Sequence, residues 1–122
     1  MNKILLVEDD ETTNFISKII LKSAGFEHVN EVFNGMEAFK HIEKECPDII
    51  FLDINMPVMD GWEFLEEKKS KASCKDVKIA ILTSSTRPHE KKKAENYSCV
   101  IAYIEKPLTN EKVEELRRKM EC

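Results

Sequence analysis

The chain has 122 residues, of which 34% are charged, and a formal net charge of −4. This length fits a single domain with its own core, and the acidic balance argues against direct binding to nucleic acid. No apolar run approaches the roughly 20 residues that a membrane span requires, and the start MNKILLVEDDE becomes acidic too early for a signal peptide. We therefore expect one cytoplasmic domain, residues 1–122, with neither a membrane nor a nucleic acid as its partner.

The cysteines are scattered along the chain at Cys46, Cys74, Cys99 and Cys122. They form no C-x-x-C pair, which is the spacing typical of zinc sites and redox motifs. We therefore expect reduced thiols.

Five short apolar runs, rich in valine and isoleucine, predict five strands. In chain order they are KILLV, VNEVF, DIIFLD, VKIAILT and VIAYIEK. The first polar stretch between them, ETTNFISKIILKSAGF, is predicted as an amphipathic helix that stops at Gly25. Its apolar face consists of Phe15, Ile16, Ile19 and Ile20, and its candidate N-caps are Thr12 and Thr13.

Four further polar stretches also have helical spacing. GMEAFKHIEKE, GWEFLEEKKSK and NEKVEELRRKM carry apolar positions on one side, and Asn110 is the candidate cap of the last. RPHEKKKAENYS is a weak helix, because only two residues give it an apolar side, and we expect it to be short or mobile. The apolar positions, in chain order, are Ala38, Phe39, Ile42, Trp62, Leu65, Ala94, Tyr97, Val113, Leu116 and Met120.

Strands that alternate with helices predict right-handed βαβ crossovers. The resulting fold class is α/β, with a single doubly wound parallel sheet of five strands covered by helices on both faces. In such a sheet, binding and chemistry gather beyond the carboxyl ends of the strands.

Polar residues follow four of the five predicted strands. If the first and third strands are neighbours, about 4.8 Å apart, their terminal carboxylates are crowded and repel each other unless a cation lies among them. Carboxylate oxygens suit Mg²⁺, so the pattern predicts a magnesium site. The strand-end residues are Glu8, Asp9 and Asp10, then Asp53, then Thr83 and Ser84, and finally Lys106.

With a divalent cation in place, Asp53 becomes a shielded nucleophile toward an incoming phosphoryl group. Lys106 can pair with one phosphoryl oxygen and the Thr83 hydroxyl can bond another. Acids, threonines and lysines are common wherever strands reach the surface, but four strand ends that agree favour a phosphoacceptor site.

At this point the sequence resembles the receiver domain of two-component response regulators, from Lys3 to about Met120. The matching stretches are ILLVEDDE, NGMEAF, DIIFLDINMPVMDGWEF, ILTSST and YIEKPL, in the family's order and at its spacing. The resemblance implies a flavodoxin-like receiver fold with strand order 2-1-3-4-5. It also implies that Asp53 accepts a phosphoryl group, in a Mg²⁺-dependent reaction, from the phosphohistidine of a sensor histidine kinase or histidine phosphotransfer protein.

The resemblance implies further roles near the acceptor. The acidic pair would be Glu8 and Asp9, with Asp9 on the metal and Glu8 acting through water, and Asp10 would lie just beyond it. Asn55 would offer its backbone carbonyl to the same ion. Tyr103 would turn inward when the Thr83 hydroxyl moves to the phosphoryl group.

Two more features follow from the resemblance. Asn55 and Ser85 would flank the path of the water that hydrolyses the acyl phosphate, so they would tune its lifetime. The Lys106–Pro107 bond is a candidate for the cis form.

Several functions remain to be weighed. A stand-alone receiver would signal through protein contacts on the face formed by the fourth helix, fifth strand and fifth helix, and we expect this because the chain ends there. A receiver excised from a hybrid kinase, or one that only relays phosphate, is the alternative. A haloacid-dehalogenase-type phosphatase needs a second acid at Asn55, where an amide cannot protonate a leaving group. A flavodoxin-like flavin binder needs a phosphate-cradling loop where EDDETTN would repel phosphate.

Overall fold

The computed structural model describes residues 3–69, 74 and 76–121. Within these residues no helix is both long enough and apolar enough to cross a membrane. The strands are β1 (Lys3–Val7), β2 (His28–Val32), β3 (Ile49–Leu52), β4 (Lys78–Thr83) and β5 (Val100–Glu105). The helices are α1 (Glu11–Ser23), α2 (Gly35–Lys44), α3 (Gly61–Lys69), α4 (Pro88–Ala94) and α5 (Asn110–Glu121).

The five strands form one parallel sheet in the order β2-β1-β3-β4-β5. The predicted doubly wound α/β fold with strand order 2-1-3-4-5 is therefore confirmed. Val7 at the end of β1 pairs with Leu52 at the end of β3. Because these two strands end level with each other, the residues that follow them meet at one edge of the sheet.

Two apolar layers enclose the sheet. On one face, residues of α1 and α5 such as Leu21, Val113 and Leu116 pack with β1 and β3. On the other, Phe39 of α2 and Phe64 of α3 pack with the alternate residues of the same strands. All four residues of β3 are buried, which explains why its sequence is a continuous apolar run rather than an alternating one.

Most of the predicted apolar face of α1 is turned toward solvent, although Ile20 is half-buried and packs against the core. Phe15, Ile16 and Ile19 are 65%, 45% and 53% exposed, whereas the buried residues of this helix are Asn14, Ser17 and Leu21. The amide of Asn14 donates a 3.0 Å hydrogen bond to the carbonyl of Glu8, so a polar side chain anchors the packed side. The helix was predicted correctly, but three of the four residues of its predicted apolar face do not pack on the sheet.

The caps of two helices differ from the predicted ones by one to three residues. Asp10, rather than Thr12 or Thr13, is the N-cap of α1, because its carboxylate accepts hydrogen bonds from the Thr12 amide at 3.2 Å and from the Thr13 hydroxyl at 2.7 Å. The hydroxyl of Thr109 accepts from the Lys112 amide at 3.2 Å and caps α5, one residue before the predicted Asn110. Short polar side chains at these positions satisfy backbone amides that have no partner within the helix.

The expectation of reduced thiols is wrong for two cysteines, because Cys46 and Cys74 form a disulfide across 28 residues of sequence. It joins the α2–β3 connection to the turn before β4. Lys68, which is buried, donates to the carbonyl of Cys74 at 3.1 Å, so the charge-rich run EKKSKASCK is not wholly a solvated face. Its residues 70–73 and 75, like Cys122, lie outside the described residues.

Candidate functional site

Three carboxylates meet beyond the ends of β1 and β3. The amide of Asp53 donates to the carbonyl of Val7 at 3.0 Å, which continues the strand pairing by one residue and places Asp53 beside Glu8. Oxygens of Glu8, Asp9 and Asp53 all lie within 4.8 Å of one another. Glu8 and Asp53 are both buried, at 5% exposure, whereas Asp9 is exposed. This arrangement requires a positive charge nearby, since two of the acids have little access to water.

One positive charge comes from Lys106, which directly follows β5. Its ammonium lies 3.2 Å from Oδ2 of Asp53 and also contacts Oε1 of Glu8. The peptide bond between Lys106 and Pro107 is cis, as predicted. The backbone amide of Lys106 donates to the carbonyl of Thr83 at 2.8 Å, which ties the end of β5 to the end of β4.

Three carboxylates against one ammonium leave a net negative site. The oxygens are hard ligands that lie close together, and one side of the group is exposed, which fits a Mg²⁺ ion that keeps several of its waters. The residues present therefore suit the divalent cation that the sequence predicts.

The charges of the site alter proton binding. Burial is the largest influence on Glu8 and raises its pKa to about 7; the nearby charge of Asp53 also raises it, while the hydrogen bond with Lys106 lowers it. Burial lowers the pKa of Lys106, but its hydrogen bond with Glu8 and the charge of Asp53 outweigh burial and raise it overall. Lys106 therefore stays charged near neutral pH, while Glu8 changes its protonation there.

Asp10 is separate from this site, although it continues the acidic run. Its side chain is occupied with capping α1, and the hydrogen bond from the Thr13 hydroxyl is the main reason that its pKa is lowered. The structure thus distinguishes the third acid from Glu8 and Asp9 by its hydrogen bonds.

The turn after Asp53 orients the Asp53 carboxylate and leads into the start of α3. Oδ1 of Asp53 accepts from the amide of Asn55 at 3.2 Å, so each of the two carboxylate oxygens has a different donor. A Cβ at Gly61 would lie 2.6 Å from the carbonyl oxygen of Asp53, so only glycine fits there. Val58, which is 77% exposed, has φ of 69°, a left-handed conformation that is strained for a β-branched residue.

A second group of residues lies around the carboxyl end of β4. Thr83 is fully buried, and its hydroxyl accepts from the amide of Ser85 at 3.2 Å. The hydroxyl of Tyr103 donates to the carbonyl of Ser85 at 3.2 Å. The backbone of Ser85 thus links the side chains of Thr83 and Tyr103.

One residue of this region was missed from sequence. Glu90 is buried at 8% exposure and accepts a 2.5 Å hydrogen bond from the Ser85 hydroxyl. It stands within the charged run RPHEKKK, which is typical of a solvated helix face, so no sequence signal separates it from its neighbours.

The comparisons with known proteins agree with this geometry. A family model described as "Response regulator receiver domain" matches residues 4–118. The chemotaxis protein CheY of Listeria monocytogenes is 44% identical over 71 residues, which cover 58% of this chain and 60% of that protein. The chain thus matches less than two thirds of the length of this curated relative.

Solved structures match over nearly the whole chain. A two component response regulator from Cytophaga hutchinsonii is 30% identical, with a TM-score of 0.89, over 96% of this chain and 94% of that one. The chemotaxis response regulator CheY4 of Vibrio cholerae is 30% identical, with a TM-score of 0.84, over 98% of both chains.

Proposed function

Because the chain belongs to the response regulator receiver domain family, we propose that it accepts a phosphoryl group on Asp53. The donor is the phosphohistidine of a sensor histidine kinase or a histidine phosphotransfer protein, and the reaction requires Mg²⁺. The observation that carries the proposal is the contact of 3.2 Å between the Lys106 ammonium and the Asp53 carboxylate, within a group of three acids.

In the proposed reaction, one carboxylate oxygen of Asp53 attacks the phosphorus atom of the donor. The new bond is oxygen to phosphorus, the phosphorus–nitrogen bond of the phosphohistidine breaks, and the imidazole leaves with the electron pair. The Lys106 ammonium already lies beside Oδ2 of Asp53, so it can form an ion pair with a phosphoryl oxygen with little movement of its side chain. The chain catalyses its own modification in this way.

The residues that would hold Mg²⁺ are Glu8, Asp9 and Asp53, with the backbone carbonyl of Asn55. When bound, the ion supplies charge that reduces the repulsion between the acceptor carboxylate and the phosphoryl oxygens. After transfer, the Thr83 hydroxyl donates a hydrogen bond to a phosphoryl oxygen, and the Tyr103 side chain turns inward. Asn55 and Ser85, two residues beyond Asp53 and Thr83, set how readily water reaches the acyl phosphate.

The donor protein needs a docking surface beside Asp53. The exposed apolar residues of α1 support one, because this helix starts three residues after Glu8. Other large apolar side chains that are exposed, Met36 at the start of α2 and Val58 in the β3–α3 connection, belong to segments that begin at the same edge of the sheet. Exposed apolar side chains on segments that begin beside an acidic site suit a protein donor better than a small molecule.

The output leaves through protein contacts on the face of α4, β5 and α5. A cavity of about 410 Å³ on this face is lined by Tyr103 together with charged residues of both helices. The cavity borders Tyr103 and is lined by side chains of both charges, which favours a charged protein surface as the partner. Charged lining residues include Lys91, Lys112, Glu115 and Lys119.

A small phosphodonor such as acetyl phosphate, added with Mg²⁺, tests the proposal through the intact mass of the protein. We expect one added phosphoryl group in the wild type and none in Asp53→Asn. Asp76→Asn, which changes an exposed acid at the other end of β4, is the matched control and should be modified as the wild type is. A phosphoryl group that persists in Asp53→Asn would contradict the proposal.

A further inference from the structure

Ser85 connects three elements at the carboxyl edge of the sheet. Its amide donates to the hydroxyl of Thr83 at 3.2 Å, which ties it to the end of β4. Its carbonyl accepts from the hydroxyl of Tyr103 in β5 at 3.2 Å, and its own hydroxyl donates to Oε1 of Glu90 in α4 at 2.5 Å. A movement of Ser85 therefore affects the site, the fifth strand and the fourth helix together.

Among the partners of Ser85, Glu90 is unusual because its carboxylate is buried. It is 8% exposed and lies in a short helix whose only other buried residue is Ala94. A buried carboxylate is costly unless a donor compensates it. Arg87 lies 3.9 Å away, but its side chain is 74% exposed, so water screens this pair. The Ser85 hydroxyl is thus the close donor to the Glu90 carboxylate, and a hydrogen bond to a charged acceptor is one of the stronger kinds.

We propose that Glu90 is a positioning residue for the phosphoryl-dependent change. Its carboxylate holds the Ser85 hydroxyl, and Ser85 in turn holds the Thr83 hydroxyl through its amide and the Tyr103 hydroxyl through its carbonyl. The switching part of this inference rests on the proposed function. The structural part, that Glu90 sets where Tyr103 lies, concerns the unphosphorylated protein and does not depend on it.

The consequence for switching follows from the bonds. When the Thr83 side chain rotates toward a phosphoryl oxygen, it leaves the amide of Ser85, and the β4–α4 connection loses its bond to the site. Glu90 and Tyr103 are then the residues that decide the new position of Ser85. Because Glu90 is fixed in α4, it transmits the movement of Ser85 to the helix.

The test uses fluorine-labelled tyrosine in the whole chain without any phosphodonor. The chain has two tyrosines, and Tyr97, whose hydroxyl bonds Glu66, provides an internal reference. The readout is the ratio of Tyr103 rings whose hydroxyl bonds the Ser85 carbonyl, as in this structure, to rings without that bond. We expect Glu90→Ala and Ser85→Ala each to change this ratio by about tenfold, the size expected when one hydrogen bond to a charged group is lost. The double variant should show no larger change, because both substitutions remove the same bond.

Two further variants separate positioning from general damage. Glu90→Gln should restore most of the wild-type ratio, since its amide oxygen can still accept from the Ser85 hydroxyl. Glu95→Ala, which removes an exposed acid at the end of α4, should leave the ratio unchanged.

The proposal is overturned if Tyr103 is unchanged in Ser85→Ala, if the effects of Ser85→Ala and Glu90→Ala add in the double variant, or if Glu95→Ala acts equally. Should Glu90→Ala fail to fold in a thermal melt, Ser85→Ala and Glu90→Gln decide alone, because the first removes a single oxygen atom and the second keeps the size of the side chain. A chain that takes up no phosphoryl group in the mass experiment would contradict the proposed function and still leave this readout intact.

Discussion

The ammonium of Lys106 lies 3.2 Å from Oδ2 of Asp53, although the two residues are 53 positions apart in the chain. The same ammonium contacts Glu8. A fixed cation therefore already occupies one side of the carboxylate group that would bind Mg²⁺. The Lys106 ammonium and a bound Mg²⁺ would therefore repel each other while both are attracted to the same carboxylates.

Replacing Lys106 by methionine should strengthen Mg²⁺ binding while slowing phosphorylation. The ammonium and the ion are attracted to the same carboxylates and repel each other, so removing one favours the other by about tenfold. Isothermal titration with Mg²⁺ and a time course with a small phosphodonor measure the two effects. Lys119→Met, on the exposed side of α5, is the control. Weaker Mg²⁺ binding in Lys106→Met would show that the lysine mainly orders the acids.

Asp9→Ala should abolish phosphorylation, whereas Asp10→Ala should only weaken it. Asp9 belongs to the cluster of three carboxylates that includes Asp53, while Asp10 caps α1. Loss of the cap is expected to lower the free energy of unfolding. Phosphate uptake and urea denaturation, measured on both variants, distinguish the two roles. Equal loss of phosphate uptake in both variants, or a greater loss in Asp10→Ala, would show that the metal-binding pair is not Glu8 and Asp9.

Mg²⁺ binding should weaken as the pH falls through 7. Glu8 has a pKa raised to about 7 by burial, so below that pH it binds a proton that the ion must displace, and affinity falls by up to about tenfold per pH unit. Titration in two buffers of different ionisation enthalpy should detect the released proton. Glu8→Gln, which cannot bind this proton, should flatten the profile between about pH 6 and 8. A wild-type affinity that is constant over this range would exclude Glu8 as the titrating group.

The same shift predicts how Glu8 affects stability in the absence of Mg²⁺. A carboxyl whose pKa is raised in the folded state binds more protons there than when unfolded. Its contribution to stability is therefore complete below its ordinary value of 4.5 and is lost as the pH rises through about 7. Added Mg²⁺ should reverse this loss in a thermal melt, because it favours the charged form. Glu8→Gln should show neither the pH effect nor its reversal.

Serine at Phe15, Ile16 and Ile19 together should impair phosphorylation by a protein donor and spare phosphorylation by a small one. These side chains are exposed on α1, so their loss removes docking area without disturbing the core, and we expect at least about a tenfold lower kcat/KM with the protein donor. A purified histidine kinase that phosphorylates the wild type provides the donor. Glu43→Ser, exposed on α2, is the control. If both donors are affected alike, α1 acts on the site rather than on docking.

Much of the site could be predicted from the sequence because its parts are local. Asp53 and Lys106 each follow an apolar run directly, and a parallel sheet brings such strand ends to one edge. The strand order itself was implied by the resemblance to the receiver family, and given that order the rule places the strand-end residues together at one edge of the sheet. Whether Thr83, Tyr103 and Ser85 have the roles proposed for them stays a prediction.

What only the tertiary structure decided depends on contacts between distant segments or on the rotation of a helix about its axis. Hydrophobic spacing indicates that α1 is amphipathic but not which side packs. The hydrogen bond from Asn14 to Glu8 accompanies the burial of two polar residues, Asn14 and Ser17, on the same side as Leu21. The disulfide joins cysteines 28 residues apart, a pairing that depends on where α2 ends relative to β4. Glu90 is buried, and the Ser85 hydroxyl in the β4–α4 connection compensates its charge. A charged run by itself contains no information about such a neighbour.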